Sequence, residues 1–433
     1  MKIKCKTKTY AEVMSMERPK PIKPLRQKLF WRILLRLLSI PELMATHFKV
    51  KKNGMEKLGK KEPCLVLMNH SCFLDLEIAS TVLFPRRFNV VCTTDGFVGK
   101  NWLMRQLGCI PTKKFTFDIS LVHNMVYTVK ELKSSVLLFP EAGYSFDGTA
   151  TVLPESLGQC VKMLGVPVIM IETHGAYARQ PLFNNLKKRR VPISADVTYL
   201  LSPEEIEAKS AEEINEILKK EFSFDAFRWQ KENNIRIDEP YRAEGLHRVL
   251  YKCPACGKEG EMHGEGVTLT CLACKKQYSM DEYGELHATE GNTEFPHIPD
   301  WFAWQRAEAR RELESGSYRL DCAVDIYMMV DTKALFRVGE GRLSHDASGF
   351  SLVGCDGELN YSQRPTASYS LNADFYWYEL GDVICIGNQK ELYYCFPKGK
   401  DAIVAKTRLA TEELYKIVRA QKEERRRRAK QST

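Results

Sequence analysis

The 433-residue sequence has no charge-free apolar run near the roughly 20 residues that cross a bilayer as a helix, which argues against an ordinary transmembrane segment. Its start lacks the order of charged, apolar and then small residues that marks a secretory signal. No long low-complexity tract interrupts it, so wholesale disorder is not expected. A disulfide framework is also missing: of 14 cysteines, four form two C-x-x-C pairs and the others are scattered through apolar or unpaired contexts. Together these absences predict a globular chain in a reducing, cytoplasmic setting. The composition fits, with 44% hydrophobic and 27% charged residues, and the length predicts two or three domains rather than one core.

The formal charge of +9 is concentrated at the ends. Nine Lys and Arg face two Glu between Met1 and Phe30, and Arg425, Arg426, Arg427, Arg428 and Lys430 crowd the last stretch. Such tails bind anionic lipid headgroups or nucleic acid, or simply stay solvated. The segment Leu29 to Ile40 places Arg32 and Arg36 on one face of an apolar helix. Twelve helical residues span about 18 Å, and Pro41 marks an expected stop. Two readings follow, a helix lying in the membrane interface with Trp31 and the leucines buried, or one packed on the protein's own core. The basic, proline-rich stretch before it favours the membrane surface. Residues 1–47 are therefore expected to form a basic N-terminus with a membrane-surface helix.

From residue 48 to 240 short continuous apolar runs (CLVLM, FNVVCTT, SVLLFP, VPVIMIE, ADVTYLL) alternate with helical patterns. Continuous apolar strands are those covered on both faces, so an α/β fold is expected, a sheet covered by helices. Ser202-Pro203-Glu204-Glu205 is a helix start signal for its closing segment. Residues 249–288 form a short Cys-rich module and 289–317 a helical linker. Over residues 318–420, runs of alternating character separated by Gly, Asp and Asn predict about seven strands and a terminal helix, a β-rich unit that looks like a pleckstrin-homology barrel. Residues 421–433 are the basic tail.

Two segments carry chemistry. Asn69-His70-Ser71-Cys72-Phe73-Leu74-Asp75 follows the strand CLVLM, so His70 sits at a strand end with Asp75 one turn into the next helix. A carboxylate bonded to one imidazole nitrogen fixes the tautomer and leaves the other as a base. His70 would then take the proton of an acceptor hydroxyl attacking a thioester carbonyl, with Asp75 orienting the ring. Cys72 is a rival nucleophile, and a helix cap is the bland alternative for the pair. The second segment, Phe139-Pro140-Glu141-Ala142-Gly143-Tyr144-Ser145, follows the strand VLLF; amides in its turn from Glu141 to Gly143 could stabilise an oxyanion.

The two segments together resemble the motifs N-H-x-x-x-x-D and F-P-E-G-T-R-S of the glycerolipid acyltransferases, which include lysophosphatidic acid acyltransferases. The resemblance runs from about Phe48 to Leu201. Weaker blocks resemble it at Gly108 to Lys114 and at Val166 to Ile171. It implies His70 and Asp75 as catalytic residues, and Lys113, Lys114, Phe139, Pro140, Glu141, Gly143 and Ser145 as substrate-binding ones. It further implies acyl transfer from acyl-CoA or acyl carrier protein to the hydroxyl of a lysophospholipid-type acceptor, 1-acyl-sn-glycerol-3-phosphate foremost, at the inner membrane face. The departures concern the acceptor. The usual glycine is displaced by Ala142-Gly143, Lys113 stands for an arginine, and Tyr144 stands for the arginine of the second motif, where family members are thought to grip phosphate. Lys113 and Lys114 can equally belong to a solvated loop.

Cys253-Pro-Ala-Cys256 and Cys271-Leu-Ala-Cys274, fourteen residues apart, have the spacing of a four-thiolate zinc ribbon. A closed shell of four thiolates implies a structural ion; His263 is a substitute ligand. Zinc ribbons also bind nucleic acid or proteins, which gives a rival function with an inactive acyltransferase-like domain. The mixed charge of Lys258, Glu259, Glu261, Glu265, Lys275 and Lys276 argues against nucleic acid.

Overall fold

A computed structural model describes residues 2–19, 22–114, 118–399 and 403–431. Two residues of the proline-rich basic stretch and the last two of the tail lie outside them.

The chain opens with a short strand, β1 (Cys5–Thr7), and then builds a seven-stranded sheet from β2 (Lys49–Asn53), β3 (Leu65–Met68), β4 (Phe88–Thr93), β5 (Cys109–Thr112), β6 (Ser135–Leu138), β7 (Val168–His174) and β8 (Ser194–Leu201). The order is β2-β8-β7-β3-β6-β4-β5. Strands β7, β3, β6, β4 and β5 are mutually parallel, while β8 runs antiparallel to β7 and carries β2 with it. The central strand shows why its sequence is apolar throughout. Side chains alternate between faces, so Leu65 and Leu67 enter one core with Val161 and Ile214, and Val66 and Met68 enter the other with Ile78 and Ile169. The mixed α/β fold expected for this region is thus present. Ser202 caps the helix Pro203–Ala208 by accepting from the Glu205 amide, with Glu205 returning a bond to the Ser202 amide.

The helix after the basic N-terminus is longer than expected, Leu29–Ala45, and runs through Pro41. Proline there leaves the Leu37 carbonyl without its usual donor, but Pro41 is exposed, so water can serve that oxygen. Among the described residues no helix is long and apolar enough to cross a membrane.

Beyond this sheet, β9 (Met262–Glu265), β10 (Thr268–Cys271), β11 (Gln277–Met280) and β12 (Leu286–Ala288) form an antiparallel four-stranded ribbon in the order β12-β11-β10-β9. The helix Ile298–Glu314 leads to the β-rich unit: β13 (Leu320–Met328), β14 (Leu335–Asp346), β15 (Gly349–Gly354), β16 (Leu359–Gln363), β17 (Asn372–Trp377), β18 (Gly381–Gly387) and β19 (Leu392–Pro397), ordered β16-β15-β14-β13-β19-β18-β17. The last helix, Ile403–Gln431, extends through the basic tail. Its buried first half packs on the Ile298–Glu314 helix, where Arg306 pairs with Glu412 at 2.6 Å and Glu413 at 3.2 Å.

Two arrangements were not visible in the sequence. Strand β1 pairs in parallel with β14, Cys5 opposite Leu335, which joins the start of the chain to the β-rich unit. That unit also docks on the α/β sheet just past the ends of β4 and β5. The Gly99 amide donates to the Thr332 carbonyl at 2.9 Å, Asn101 Nδ2 donates to Thr332 Oγ1 at 2.7 Å, and Lys113 Nζ donates to the Gln389 carbonyl. Val98 joins an apolar cluster with Met329, Leu335 and Trp377. The contact lies at the carboxyl ends of the parallel strands, where sites open in such sheets.

Candidate functional site

The site is built on the register of two neighbouring strands. Leu67 of β3 pairs with Leu138 of β6, so His70 and Glu141, each three residues further on, leave the sheet side by side. The Glu141 carboxylate joins the two exits. Its Oε2 accepts the His70 amide at 2.9 Å, and its Oε1 accepts the Thr151 amide at 2.8 Å. The Ser145 amide returns a bond to the His70 carbonyl at 3.4 Å. Burial pushes Glu141 up to about 7, against the pull of the two amides. On the other flank the Asn69 side chain accepts the Thr173 amide at 2.8 Å and donates to the Thr173 carbonyl at 3.1 Å, tying β3 to β7.

Asp75 lies in the first turn of the helix Leu74–Leu83 and has no exposed surface. Its Oδ2 accepts the Ser71 amide at 2.8 Å and the Cys72 amide at 3.1 Å, and meets His70 Nδ1 at 2.8 Å. One oxygen therefore holds both the turn before the helix and the imidazole, whereas the helix start itself has no side-chain cap, so the orienting reading of this pair fits and the capping one does not. The ring stacks on Phe139 at 4.1 Å and meets Tyr144 at 4.4 Å. With Nδ1 committed to Asp75 and the side chain 22% exposed, Nε2 is the nitrogen left for a substrate. Burial holds the imidazole pKa below its ordinary value; Asp75 opposes the shift and Lys114 adds to it.

The remaining expected site residues divide. Phe139 stacks on His70 and Glu141 anchors its backbone, while Pro140 between them is buried. Ser145 is buried, and its hydroxyl donates to the Thr149 carbonyl at 2.6 Å and accepts the Gly148 amide at 3.0 Å, bracing the loop. Lys114 is within electrostatic reach of His70, whereas Lys113 reaches across to the β-rich unit. Cys72 turns its thiol to the Ala176 carbonyl at 3.6 Å, and burial raises its pKa well above the ordinary thiol value, the opposite of an activated nucleophile.

The displaced glycine has a conformational consequence. Ala142, whose amide donates to the Phe139 carbonyl at 3.1 Å, has φ of 55°, the left-handed region that glycine enters without strain. Gly143 does not need its freedom: a side-chain carbon there would meet nothing within 4 Å.

Residues distant in sequence complete the surroundings. Arg408 of the last helix donates to the Tyr144 carbonyl at 3.5 Å and lies over the Phe146 ring at 4.5 Å. Phe146 packs on Phe375 of β17 at 4.4 Å. Nothing in the local pattern around residues 375 or 408 could have signalled this, since the partners are over 200 residues away. A separate cavity of about 470 Å³ lies beside Asn69 and Ser71, lined also by His174, Tyr177 and Trp229; His70 does not line it.

Arg32 and Arg36 of the helix Leu29–Ala45 both contact the segment that follows the helix Leu74–Leu83, Arg36 while remaining exposed. Arg36 stacks over Phe84 at 4.4 Å and Arg32 donates to the Pro85 carbonyl, while Phe30, Leu38 and Met44 are 65%, 65% and 70% exposed. Trp31 touches Trp102, itself 67% exposed; separately, Phe73, 60% exposed, meets Tyr144 at the site. Much of the apolar side is thus exposed, while Leu43 joins the core under the sheet.

In the ribbon, Cys253 and Cys274 sulfurs are 3.7 Å apart and Cys256 and Cys271 sulfurs 3.8 Å, with all four within 4.8 Å of one another. A zinc tetrahedron with bonds of about 2.3 Å has edges of about 3.8 Å, so the four thiols fit such an ion. His263 lies apart from this group, half exposed and stacked on His247 at 5.7 Å. Asp281, Glu285 and His287 form a second group near the surface, already engaged: Asp281 bonds His287 at 2.9 Å and Glu285 pairs with Lys231 at 2.6 Å.

A strand-end His–Asp pair clasped to a second strand exit by a buried carboxylate defines an α/β site suited to proton removal from a hydroxyl. Residues 49–172 match the family model described as Acyltransferase, so the chain carries an acyltransferase-family domain over that span. Among solved structures, the chain is similar to the crystal structure of the 1-acyl-sn-glycerophosphate (LPA) acyltransferase PlsC from Thermotoga maritima, with 17% identity and a TM-score of 0.33 over 44% of this chain and 78% of that one. No curated protein matches.

Two outcomes are expected. Ala142→Gly relieves the left-handed strain and raises the unfolding free energy by about 1 kcal/mol, measured by denaturant titration. The full chain binds about one zinc by elemental analysis, and Cys256→Ser loses it and lowers the thermal midpoint by about 5 °C or more.

Proposed function

We propose that the protein is an acyltransferase that moves a fatty acyl group from acyl-CoA or acyl carrier protein to the hydroxyl of a lysophospholipid-type acceptor, 1-acyl-sn-glycerol-3-phosphate being the first of that class to assay. The supporting observation is His70, held by Asp75 at 2.8 Å and clasped through its own amide to Glu141. His70 Nε2 takes the acceptor hydroxyl proton as the oxygen bonds to the thioester carbonyl carbon. Collapse of that adduct breaks the carbon–sulfur bond, and the imidazolium returns the proton to the departing thiolate. Asp75 stabilises the imidazolium, and the Gly143 amide is the proposed oxyanion donor. No covalent acyl-enzyme is needed, in keeping with the buried Cys72 thiol.

Catalysis is proposed to occur at a membrane surface, peripherally and on the cytoplasmic face. The exposed apolar side of Leu29–Ala45, together with exposed Trp102 against Trp31 and exposed Phe73 against Tyr144 at the site, supports this, because a lipid surface would cover these side chains. The ribbon's proposed role is structural. The β-rich unit, seven consecutive strands closed by a helix, supports a pleckstrin-homology-like reading.

Thiol release over a panel of acceptors tests the activity: His70→Ala is expected to lose about three orders of magnitude in kcat. Because only neutral His70 accepts a proton and its pKa is lowered, the acid limb of kcat/KM should lie below the ordinary imidazole value of about 6.5. A wild type that releases no thiol with any acceptor refutes the proposal. Separately, Phe30→Glu with Leu38→Glu should weaken sedimentation with anionic vesicles by about a hundredfold, without lowering the thermal midpoint.

A further inference from the structure

Arg408 belongs to the last helix, far outside residues 49–172, yet it touches the loop that follows β6. Its guanidinium lies over the Phe146 ring at 4.5 Å, and its Nη1 donates to the Tyr144 carbonyl at 3.5 Å. On its other side Nε donates to Glu412 at 3.3 Å, and Glu412 in turn accepts from Ser370 at 2.6 Å and from Arg306 of the neighbouring helix at 2.6 Å. Arg408 and Glu412 are 5% and 2% exposed, so water competes little for these bonds and the planar guanidinium is held in place where it meets the loop.

Behind that loop lies a cavity of about 350 Å³, bounded by Phe146, Thr149 and Thr151 on the loop and by Arg306, Arg408 and Glu412 on the two helices. Close packing therefore does not fill the space between them, and Arg408 touches both sides. The later part of the loop has its own anchors: Tyr177 donates to the Phe146 carbonyl at 2.8 Å, and Glu141 accepts the Thr151 amide. Arg408 acts one step earlier, at Tyr144, whose ring meets the His70 imidazole at 4.4 Å. Asp75 already holds Nδ1 and Phe139 stacks on the same imidazole, so Tyr144 is a further group that limits its motion and its contact with water.

Resting on the acyl-transfer reading, we infer that Arg408 is a positioning residue for the reaction: from the last helix, outside the acyltransferase-family span, it fixes the Tyr144 segment of the loop and so keeps the Tyr144 ring against His70. Burial is the main cause of the imidazole's lowered pKa, opposed by Asp75 and reinforced by Lys114. Loosening Tyr144 readmits water, and the pKa climbs back toward the ordinary value of about 6.5. Arg408 is faced by Glu412 on its own helix and is felt by Glu141 and Tyr369, so a variant that only deletes its charge would disturb these groups as well.

The test therefore pairs Arg408→Met with Glu412→Gln in the full chain, which removes one charge of each sign and leaves no new orphaned ion between them. Arg408→Lys, which keeps the charge but not the planar face, is measured beside it. Two readouts are taken: thiol release against pH, and titration of the isotope-labelled His70 imidazole by NMR, its signal identified by loss in His70→Asn. The paired variant is expected to lose about tenfold or more in kcat, with KM little changed, because a small misplacement at the base suffices for that. The acid limb of kcat/KM and the His70 titration should both move up toward about 6.5. Arg408→Lys should move the same way by less, and it carries the test if the paired variant does not fold. A merely structural contact would lower the thermal midpoint and leave both pH readouts where wild type has them; that result overturns the inference even if kcat falls. If wild type releases no thiol, the titration decides alone: an upward move upholds Arg408 as the residue that positions Tyr144 on His70 while the catalytic reading fails, and an unmoved titration overturns both.

Discussion

The arrangement depends on one buried carboxylate. Glu141 accepts backbone amides from two loops that leave adjacent parallel strands, and in doing so it sets where the His70 backbone goes. A main-chain anchor of this kind leaves the imidazole free to be aimed by something else, and Asp75 does so while holding the turn before its own helix. Two carboxylates thus share the work by position: one holds the backbone, the other the ring. Both are fully buried, so their hydrogen bonds face little competition from water, and losing either would leave buried amides unpaired.

The site also depends on long-range contacts. The last helix approaches the loop after β6 through Arg408, β17 reaches it through Phe375, and β1 ties the chain's beginning to the same β-rich unit. The acyltransferase-family domain at residues 49–172 is therefore embedded in a larger body whose two ends converge near the carboxyl edge of its sheet.

Much of this was legible locally. The continuous apolar runs of β3, β6 and β7 marked strands covered on both faces, and the two C-x-x-C pairs marked four thiols that the ribbon does bring together. The strand-end placement of His70 and Asp75 was readable because it depends on a strand, a turn and one helical turn. Other features were not. The helix Leu29–Ala45 was expected to stop before Pro41 and continues because that residue is exposed. Its amphipathicity was evident, but which face met the protein was open; Arg32 and Arg36 lie along Pro85 and Phe84, contacts that the local pattern does not specify. Ser145 and Lys113 were expected at the substrate and instead brace a loop and a domain contact, uses that depend on neighbours no motif specifies.

By itself the sequence determined the elements and the local pairs: which strands are buried, where helices are capped, that a histidine and a carboxylate sit within one turn, and that four cysteines can share an ion. These follow from side-chain periodicity and short-range hydrogen bonding, which act over a few residues. Only the tertiary structure decided that Glu141 clasps the His70 backbone, that much of the apolar side of the first long helix looks outward, and that Phe375 of β17 packs on Phe146 beside the site. Those outcomes come from packing and charge between segments far apart in the chain, where closure of the whole body, not local preference, selects the partner.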